Sequence, residues 1–225
     1  MMQDKIIQIY NILLKEYGSQ GWWPINNKYK TKDKLTEKEK FEICIGAILT
    51  QNTSWKNVEK ALNNLRINNL LNKKSIENLD IRKLAELIKS SGYNNQKAKK
   101  LKEFINFINS KEQITRDNLL KIWGIGKETA DSILLYAHKK PVFVIDSYTK
   151  RIFSRLGLCN EKIEYDDLQD VFHNNLKSNH KLFNEYHALL VEHAKRYCKT
   201  KPECKNCPLN KECEYFKNSK NLIKY

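Results

Sequence analysis

The residues with the most distinctive chemistry are four cysteines near the C-terminus, in the segment RYCKTKPECKNCPLNKEC: Cys198, Cys204, Cys207 and Cys213. Thiolates this close in sequence, in a chain whose N-terminus does not read as a secretory signal, are typical of a metal centre rather than of disulfides. Zinc and a [4Fe–4S] cluster both accept four cysteines. A zinc site usually has two C-x2-C pairs, and this sequence has one. The pattern predicts a metal site and leaves both metals open.

A glycine corner between two short helices is the second chemical feature, in the sequence LLKIWGIGKETADSILL. Gly124 and Gly126 permit positive φ angles and leave backbone N–H groups uncovered at a helix start, which is a ready anion site. The apolar residues around the corner are expected to lock the two helices together: Leu120, Trp123, Ile125, Ala130 and Ile133. The pattern resembles the helix–hairpin–helix motif, which holds a DNA phosphate, so this corner and Lys127 are predicted to bind DNA. The alternative is a structural pair of helices.

Asp146 is a candidate catalytic carboxylate. It follows the apolar run 141–145 and precedes a helix that begins near Tyr148, so it is expected to be an N-cap. The helix dipole then favours the ionised form of its side chain. An ionised carboxylate can stabilise an oxocarbenium-like sugar and orient a water molecule at its anomeric carbon. The alternative is an N-cap with no other role.

Together these features resemble the endonuclease III superfamily of helix–hairpin–helix DNA glycosylases. In that family a characteristic aspartate follows the hairpin, after a short helix and a turn with Gly or Pro, and Asp146 has that place here. The resemblance implies that Asp146 is catalytic and that the partner is double-stranded DNA with a flipped damaged base. Endonuclease III-like enzymes also carry a [4Fe–4S] cluster at nearly this cysteine spacing, so the resemblance favours iron–sulfur over zinc.

Glu128 is the residue that bears on strand cleavage. Bifunctional members of the family use a lysine at the corresponding position to form a Schiff base with the sugar. A glutamate cannot form an imine, and the neighbouring Lys127 points about 100° away around the helix. We therefore expect a monofunctional glycosylase with Glu128 in the catalytic region. The alternatives are an endonuclease III-like glycosylase and AP lyase acting on oxidised pyrimidines, or a non-catalytic helix–hairpin–helix DNA-binding protein.

Two segments resemble the parts of the family that fill the gap left by a flipped base. LTQNT places Gln51 where a glutamine enters the vacated stack, and SGYNNQKAK places Tyr93 where an apolar residue wedges the opposite strand. The alternatives are a helix C-cap for Gln51 and a packed turn residue for Tyr93.

Three tryptophans are candidates for contacts with the base itself, since indoles can sandwich a flat ring and favour cations: Trp22, Trp23 and Trp55. The segments WWP, FEICIGAILTQNTSW and GIGKE resemble the 3-methyladenine DNA glycosylase branch of the superfamily, over residues 20–158. That resemblance implies an alkylated purine as substrate, although the members compared lack the cluster. The alternative for the tryptophans is hydrophobic packing.

Helices must position these residues. Apolar periodicity predicts an N-terminal helix that contains Ile6 to Leu14 and ends at Gly18, and a helix from Thr36 that is apolar on nearly all sides and therefore buried. Further helices are predicted over 55–66, 81–90, 95–109, 115–122, 127–138, 148–156, 165–176 and 181–197. Only 141–145 reads as extended, so the fold class is all-α. The resemblance implies two helical domains with a cleft between them. One is a barrel over 32–138 containing the hairpin, and the other is a cluster domain formed by 1–31 plus 139–225.

Composition agrees with a nucleic-acid partner. The chain has 41 Lys and Arg against 26 Asp and Glu, and its net charge of +15 favours a polyanion. An AT-rich genome would also enrich lysine. The sequence contains no run of about 18 apolar residues, so we expect no membrane span. We expect a cytoplasmic monomer that associates with DNA, and we assign the histidines to the surface or the core.

Overall fold

The structure, a computed structural model, describes residues 2–29 and 33–222. Within these ranges there are twelve α-helices: α1 (Met2–Tyr17), α2 (Glu37–Leu49), α3 (Trp55–Ile67), α4 (Lys73–Asn78), α5 (Ile81–Leu87), α6 (Asn94–Asn109), α7 (Arg116–Leu120), α8 (Lys127–Ser132), α9 (Ser147–Arg155), α10 (Tyr165–Asn175), α11 (His180–Arg196) and α12 (Glu214–Leu222). A π-helix, Ile133–Ala137, continues α8. The described residues form no β-strand, only an isolated bridge between Ile25 and Lys28. The all-α prediction is confirmed.

The chain divides into two compact units. The first, which we call the terminal unit, consists of Met1–Trp22 and Pro141–Tyr225 and contains α1 and α9–α12. The second, the central unit, is Trp23–Lys140 and contains α2–α8. The predicted domain boundary at residue 32 lies outside the described residues.

The terminal unit is built on an aromatic and aliphatic core. One face of α1 is buried, through residues spaced three and four apart: Ile6, Ile9 and Leu13. The Tyr186 hydroxyl of α11 donates a hydrogen bond to the carbonyl of Ile6 over 2.8 Å. Phe143 stacks on Phe172 of α10 with ring centroids 3.6 Å apart. Because Phe143 lies three residues before Asp146, this core anchors the segment that carries the acid.

The central unit is organised around α2. Its N-cap, Thr36, forms a capping box with Glu39, whose carboxylate accepts a hydrogen bond from the Thr36 N–H over 2.9 Å. Residues 42–49 of α2 are all buried, which confirms the prediction of a buried central helix. The buried charge among them, Glu42, lies 2.9 Å from Arg66 of α3, and this pairing offsets the cost of burying a carboxylate.

Two helices were not predicted from the sequence. α4 has six residues and α12 begins directly after the last cysteine. α4 contains a single apolar residue, Ile76, and therefore shows no apolar repeat. Within the described ranges, no helix is both long enough and apolar enough to cross a bilayer.

Candidate active site

Asp146 is the N-cap of α9, as the sequence predicted, and 12% of its side chain is exposed. Its Oδ1 accepts two hydrogen bonds from Thr149, one from the backbone N–H over 2.7 Å and one from the hydroxyl over 2.8 Å. Its Oδ2 lies 3.6 Å from Nε2 of His187 on α11. Both carboxylate oxygens therefore have fixed neighbours, which restrict the orientation of the group.

The pKa of Asp146 lies below its usual value. Burial raises this pKa, but the interaction with His187 and the hydrogen bonds from Thr149 outweigh burial and lower it. The carboxylate is therefore ionised at neutral pH, in surroundings where little water screens its charge. A group in this state can stabilise positive charge that develops beside it.

His187 is a site residue that the sequence interpretation missed. Its side chain is 7% exposed, and its ring meets the Trp22 ring edge-on with centroids 6.4 Å apart. The spacing of the five histidines gave no motif, so all of them were assigned to the surface or the core. The available signal was helical periodicity, because position 187 shares the buried face of α11 with Phe183 and Leu190. A polar side chain on such a face needs a polar partner.

Trp22 completes the group of functional side chains in the terminal unit. It is half-buried, and its carbonyl accepts a hydrogen bond from the Asn184 amide over 2.9 Å. The Lys195 ammonium lies 5.8 Å from the centroid of its ring. This unit thus brings together an ionised carboxylate, an imidazole and an indole.

Trp23 and Trp55 lie in the central unit. Trp23 is 7% exposed and meets the Trp55 ring edge-on at 5.0 Å, and the Tyr136 ring is also 5.0 Å away. A Cβ atom at Gly46 would lie 3.3 Å from the Trp23 indole, so the glycine makes room for this ring. Trp23 is therefore part of the core of its unit, whereas Trp55 is half-buried.

The glycine corner lies between α7 and α8. Gly124 has φ +81°, a conformation that favours glycine, and Gly126 is the N-cap of α8. Three of the predicted locking residues are buried: Ile125, Ala130 and Ile133. The prediction is wrong for Trp123, which is 48% exposed with the Lys99 ammonium 4.3 Å from its ring centroid. An exposed indole beside a lysine therefore flanks the corner.

Lys127 and Glu128 are exposed in the first turn of α8. An acidic residue in the first turn is favoured by the helix dipole, so Glu128 also has a structural reason to be there. The backbone N–H groups of this turn are the ones available to an anion.

The side chain of Gln51, which follows α2, forms hydrogen bonds with the glycine corner and the start of α8. Its Nε2 donates hydrogen bonds to the Gly124 carbonyl over 3.0 Å and to the Thr129 hydroxyl over 2.9 Å. Its Oε1 accepts a hydrogen bond from the Lys100 ammonium. The helix C-cap at this end of α2 is Thr50. The Gln51 side chain thus bridges the end of α2 and the hairpin.

Tyr93 is the N-cap of α6 and has the left-handed conformation, with φ 45°. Its side chain is 66% exposed. The loop that carries it is held by Lys97, whose buried ammonium donates hydrogen bonds to the carbonyls of Ser91 over 2.6 Å and Leu49 over 2.8 Å. The exposed Tyr93 and the end of α2 are therefore linked through one buried lysine.

The four C-terminal cysteines line one small cavity of the terminal unit, together with Leu209, Tyr197 and other residues. The Arg155 guanidinium donates to Cys198 Sγ over 3.3 Å, and Cys207 Sγ lies 3.6 Å from Nε2 of His193. Within the described residues, no three or more His, Cys, Asp or Glu side chains converge closely enough to hold a single metal ion. The thiols surround a common space instead.

Charged thiolates in this cavity disfavour one another. Burial raises the pKa of Cys207 to about 12, and the three other cysteines of the cavity contribute in the same direction. Burial, followed by neighbouring cysteines, also raises the pKa of Cys204. A donor set that is unfavourable as free thiolates becomes favourable around a positively charged metal centre. The cavity therefore has the chemistry of a thiolate-bound centre.

Comparison with known proteins gives a consistent set of relatives. Residues 45–177 match the HhH-GPD superfamily of base excision DNA repair proteins. The chain is 48% identical over 223 residues to a putative DNA repair glycosylase of Methanocaldococcus jannaschii, covering 93% of this chain and 96% of that protein. It is 32% identical over 185 residues to endonuclease III of Sulfolobus acidocaldarius, covering 78% of this chain and 82% of that protein.

Solved structures agree. The 3-methyladenine DNA glycosylase of H. pylori, bound to 1,N6-ethenoadenine, matches with a TM-score of 0.70 and 32% identity, over 87% of this chain and 97% of that one. A non-covalent complex of endonuclease III with DNA matches with a TM-score of 0.81 over 98% of this chain and 99% of that one. At 19% identity, the second likeness concerns the fold alone.

Proposed function

The chain belongs to the HhH-GPD superfamily of base excision DNA repair glycosylases, and we propose that it removes alkylated purines such as 3-methyladenine from double-stranded DNA without cutting the strand. The observation that carries this proposal is the ionised Asp146, held between Thr149 and His187. A carboxylate in this state can stabilise the positive charge that develops on a sugar as its N-glycosidic bond breaks.

In this proposal each unit has its own task. The hairpin of the central unit holds a DNA phosphate through backbone N–H groups at the start of α8, and the helix dipole adds to the attraction. The damaged nucleotide is extruded from the duplex, and Asp146 acts on its sugar. The base leaves with the electron pair of the glycosidic bond while the carboxylate stabilises the oxocarbenium-like sugar. A water molecule oriented by Asp146 adds to C1′ and loses a proton, which leaves an abasic site.

An alkylated purine suits this chemistry because its ring is already positively charged. Methylation at a ring nitrogen turns the base into a leaving group that departs as a neutral molecule, with little need for an acid. Trp22, whose ring centroid lies 6.4 Å from that of His187, is proposed to contact such a base. Trp55, which is half-buried in the central unit, is also proposed to contact the base, whereas Trp23 belongs to the core of that unit. The 32% identity with the H. pylori 3-methyladenine DNA glycosylase supports this choice of substrate.

Gln51 and Tyr93 are proposed to occupy the duplex after the base has left the stack. The exposure of Tyr93 suits a wedge in the opposite strand. Insertion of Gln51 requires its side chain to exchange its hydrogen bonds with Gly124 and Thr129 for bonds to bases.

The role of the hairpin predicts a defect in DNA binding for Gly124→Ala. At φ +81° any side chain is strained, by about 1–2 kcal/mol. The new Cβ would also lie 2.6 Å from Cε of Lys100, whose ammonium is held by Gln51. We expect the affinity for duplex DNA, measured by fluorescence anisotropy, to fall by about tenfold, which corresponds to about 1.4 kcal/mol.

Gly18→Ala is the matched control for Gly124→Ala. Gly18 has φ +67° and lies in the terminal unit, and no atom lies within 4 Å of the Cβ it would gain. This variant suffers comparable backbone strain without changing the hairpin, so its DNA affinity is expected to equal that of the wild type. Equal affinities for the two alanine variants would contradict the assignment of the hairpin.

Glu128 leads to a prediction about strand cleavage. Without an amine at this position no imine forms with the sugar, so borohydride is expected to trap no covalent complex between the wild-type protein and a duplex containing an abasic site. Glu128→Lys restores an amine there and is expected to give trapping above the wild-type level, as judged by a shifted band in denaturing gels. Efficient trapping by the wild type would overturn the monofunctional assignment.

Oxidised pyrimidines are the second candidate substrate, because the chain is also 32% identical to an endonuclease III. One assay distinguishes the two candidate substrates. The purified protein is incubated with methylated genomic DNA and, in parallel, with a duplex containing thymine glycol, and the released bases are identified by chromatography. Release of methylated purines supports the first candidate. Release of thymine glycol alone would replace it with the second.

The cysteine cavity is proposed to hold a [4Fe–4S] cluster, with zinc as the alternative. Cys198, Cys204, Cys207 and Cys213 would supply the four thiolates, and the Arg155 guanidinium at 3.3 Å from Cys198 Sγ would balance part of their charge. When bound, the cluster would act structurally by tying together the loop between α11 and α12. The lysines of that loop, Lys199 and Lys201, are exposed and are proposed to meet DNA phosphates.

A further inference from the structure

We propose that His187 is a positioning residue for Asp146, which holds the carboxylate in its reactive orientation and keeps it ionised during base release. The inference builds on the proposed function, since it assigns a role in the reaction to a residue that no motif in the sequence marks. It rests on the terminal unit alone, where Asp146, Thr149, His187 and Trp22 all lie.

The geometry divides the two carboxylate oxygens between two partners. Thr149 occupies Oδ1 with its backbone N–H and its hydroxyl. His187 faces Oδ2 through Nε2 at 3.6 Å, just beyond ordinary hydrogen-bond length, and its hydrogen-bonding and charge interactions both lower the pKa of Asp146. A carboxylate oxygen has two lone pairs, so a contact with His187 leaves one lone pair of Oδ2 for a water molecule or a sugar. The imidazole therefore restricts the orientation of the carboxylate and lowers its pKa, and it leaves Oδ2 accessible to the substrate.

The place of His187 is itself fixed by packing. Its side chain is 7% exposed on the buried face of α11, and the edge-on contact with Trp22 limits the tilt of the ring. Asn184, one turn earlier on α11, holds the Trp22 backbone through its carbonyl. One helix thus orients both the imidazole and the indole relative to the acid.

Other charged groups on the neighbouring elements are directed elsewhere. Glu185 of α11 accepts hydrogen bonds from the Ser19 hydroxyl over 2.9 Å and from the Gln20 N–H over 2.6 Å. Lys195 of α11 lies over the Trp22 ring, and Lys150 of α9 donates to the Ile163 carbonyl over 2.9 Å. Burial, His187 and Thr149 are the causes that set the pKa of Asp146.

Loss of His187 is expected to change the pH dependence of base release. Burial raises the pKa of Asp146 and His187 lowers it, so removing His187 moves this pKa upward. Base release needs the ionised carboxylate, so its rate falls as the pH drops through the pKa of Asp146. Loss of His187 therefore moves the acidic limb of the pH–rate profile to higher pH. A histidine that only fills space would change stability without moving this limb.

The test compares His187→Gln with His173→Gln in single-turnover release of methylated purines across pH 3 to 9, because the lowered pKa of Asp146 places the acidic limb of the wild type at low pH. His173 is a structural histidine of the same unit, whose Nε2 accepts a hydrogen bond from the Phe143 N–H over 2.9 Å. We expect the acidic limb to shift upward in His187→Gln, with a rate loss of about tenfold at the acid end and a smaller loss on the alkaline plateau. The limb of His173→Gln is expected to stay in place. An unshifted limb in His187→Gln would overturn the proposal, whatever its rate.

A second measurement needs neither a substituted histidine nor catalytic activity. Carbon NMR of the unaltered protein follows the Asp146 carboxyl and the His187 ring as the pH is lowered. If the pair is coupled, protonation of Asp146 produces a step in the ring carbon shifts of His187 at the same pH, and Asp146→Asn removes that step. Independent titration of the two groups would overturn the proposal even if the protein releases bases. A coupled titration without base release would refute the proposed function alone.

Discussion

Replacing Asp146 with asparagine is expected to lower the rate of base release by about a thousandfold, comparable to the loss of a major electrostatic group in other active sites. Asparagine is nearly the same size and is also a good N-cap, so α9 keeps its start. The substitution removes the negative charge that we propose stabilises the oxocarbenium-like sugar. Single-turnover release of methylated purines measures the loss, and DNA affinity is expected to remain equal or to rise slightly because one repulsive charge is removed.

Asp167→Asn is the matched control for Asp146→Asn. Asp167 is an exposed acid in the first turn of α10 in the same unit, so the control removes the same charge without affecting the candidate site. Its rate is expected to equal the wild-type rate. A wild-type rate of base release in Asp146→Asn would show that the catalytic assignment of Asp146 is wrong.

The second large effect is expected for Cys207→Ala. Cys207 lies in the cysteine cavity, where its Sγ also faces His193 at 3.6 Å. Loss of one thiolate is expected to abolish the broad visible absorption of an iron–sulfur cluster in the purified protein. Because a bound cluster would tie together the loop between α11 and α12, we also expect the free energy of unfolding to fall by about 3–5 kcal/mol, or Tm by about 10 °C. Visible spectra, iron analysis and thermal unfolding measure these changes.

Cys159→Ala serves as the control for the cysteine cavity. Cys159 is a half-buried thiol of the terminal unit that does not line the cavity, so its replacement is expected to leave iron content and colour unchanged. Unchanged iron in Cys207→Ala would contradict the assignment of the cavity. One zinc per chain and no iron in the wild type would replace the cluster with the zinc alternative.

The sequence was sufficient where a residue's environment is set by its own segment. Thr36 and Glu39 form the capping box of α2, and the unbroken apolar run that follows is buried on all sides. The positive φ of Gly124 and the N-cap role of Asp146 are likewise local properties, since each depends on the backbone within a few residues. The all-α class follows from the same local signals.

The sequence was insufficient where the environment of a residue depends on a partner that is distant in the chain. Trp123 is apolar and was expected in the core, yet Ile125 and Ala130 are buried whereas the indole lies exposed beside Lys99. His187 is separated from Asp146 by all of α9, all of α10 and the first turns of α11, so only the folded terminal unit brings the two side chains together. Periodicity places a side chain on a face but does not identify the residue it meets.

The measurement that tests the account most directly counts products from one duplex with a single 3-methyladenine analogue. The free base and the abasic site are quantified in the same reaction, before and after alkali. The account predicts one free base for each abasic site, with the strand intact until alkali is added, and neither product with Asp146→Asn. Strand breaks that accompany base release without alkali, or equal yields from the wild type and Asp146→Asn, would contradict it.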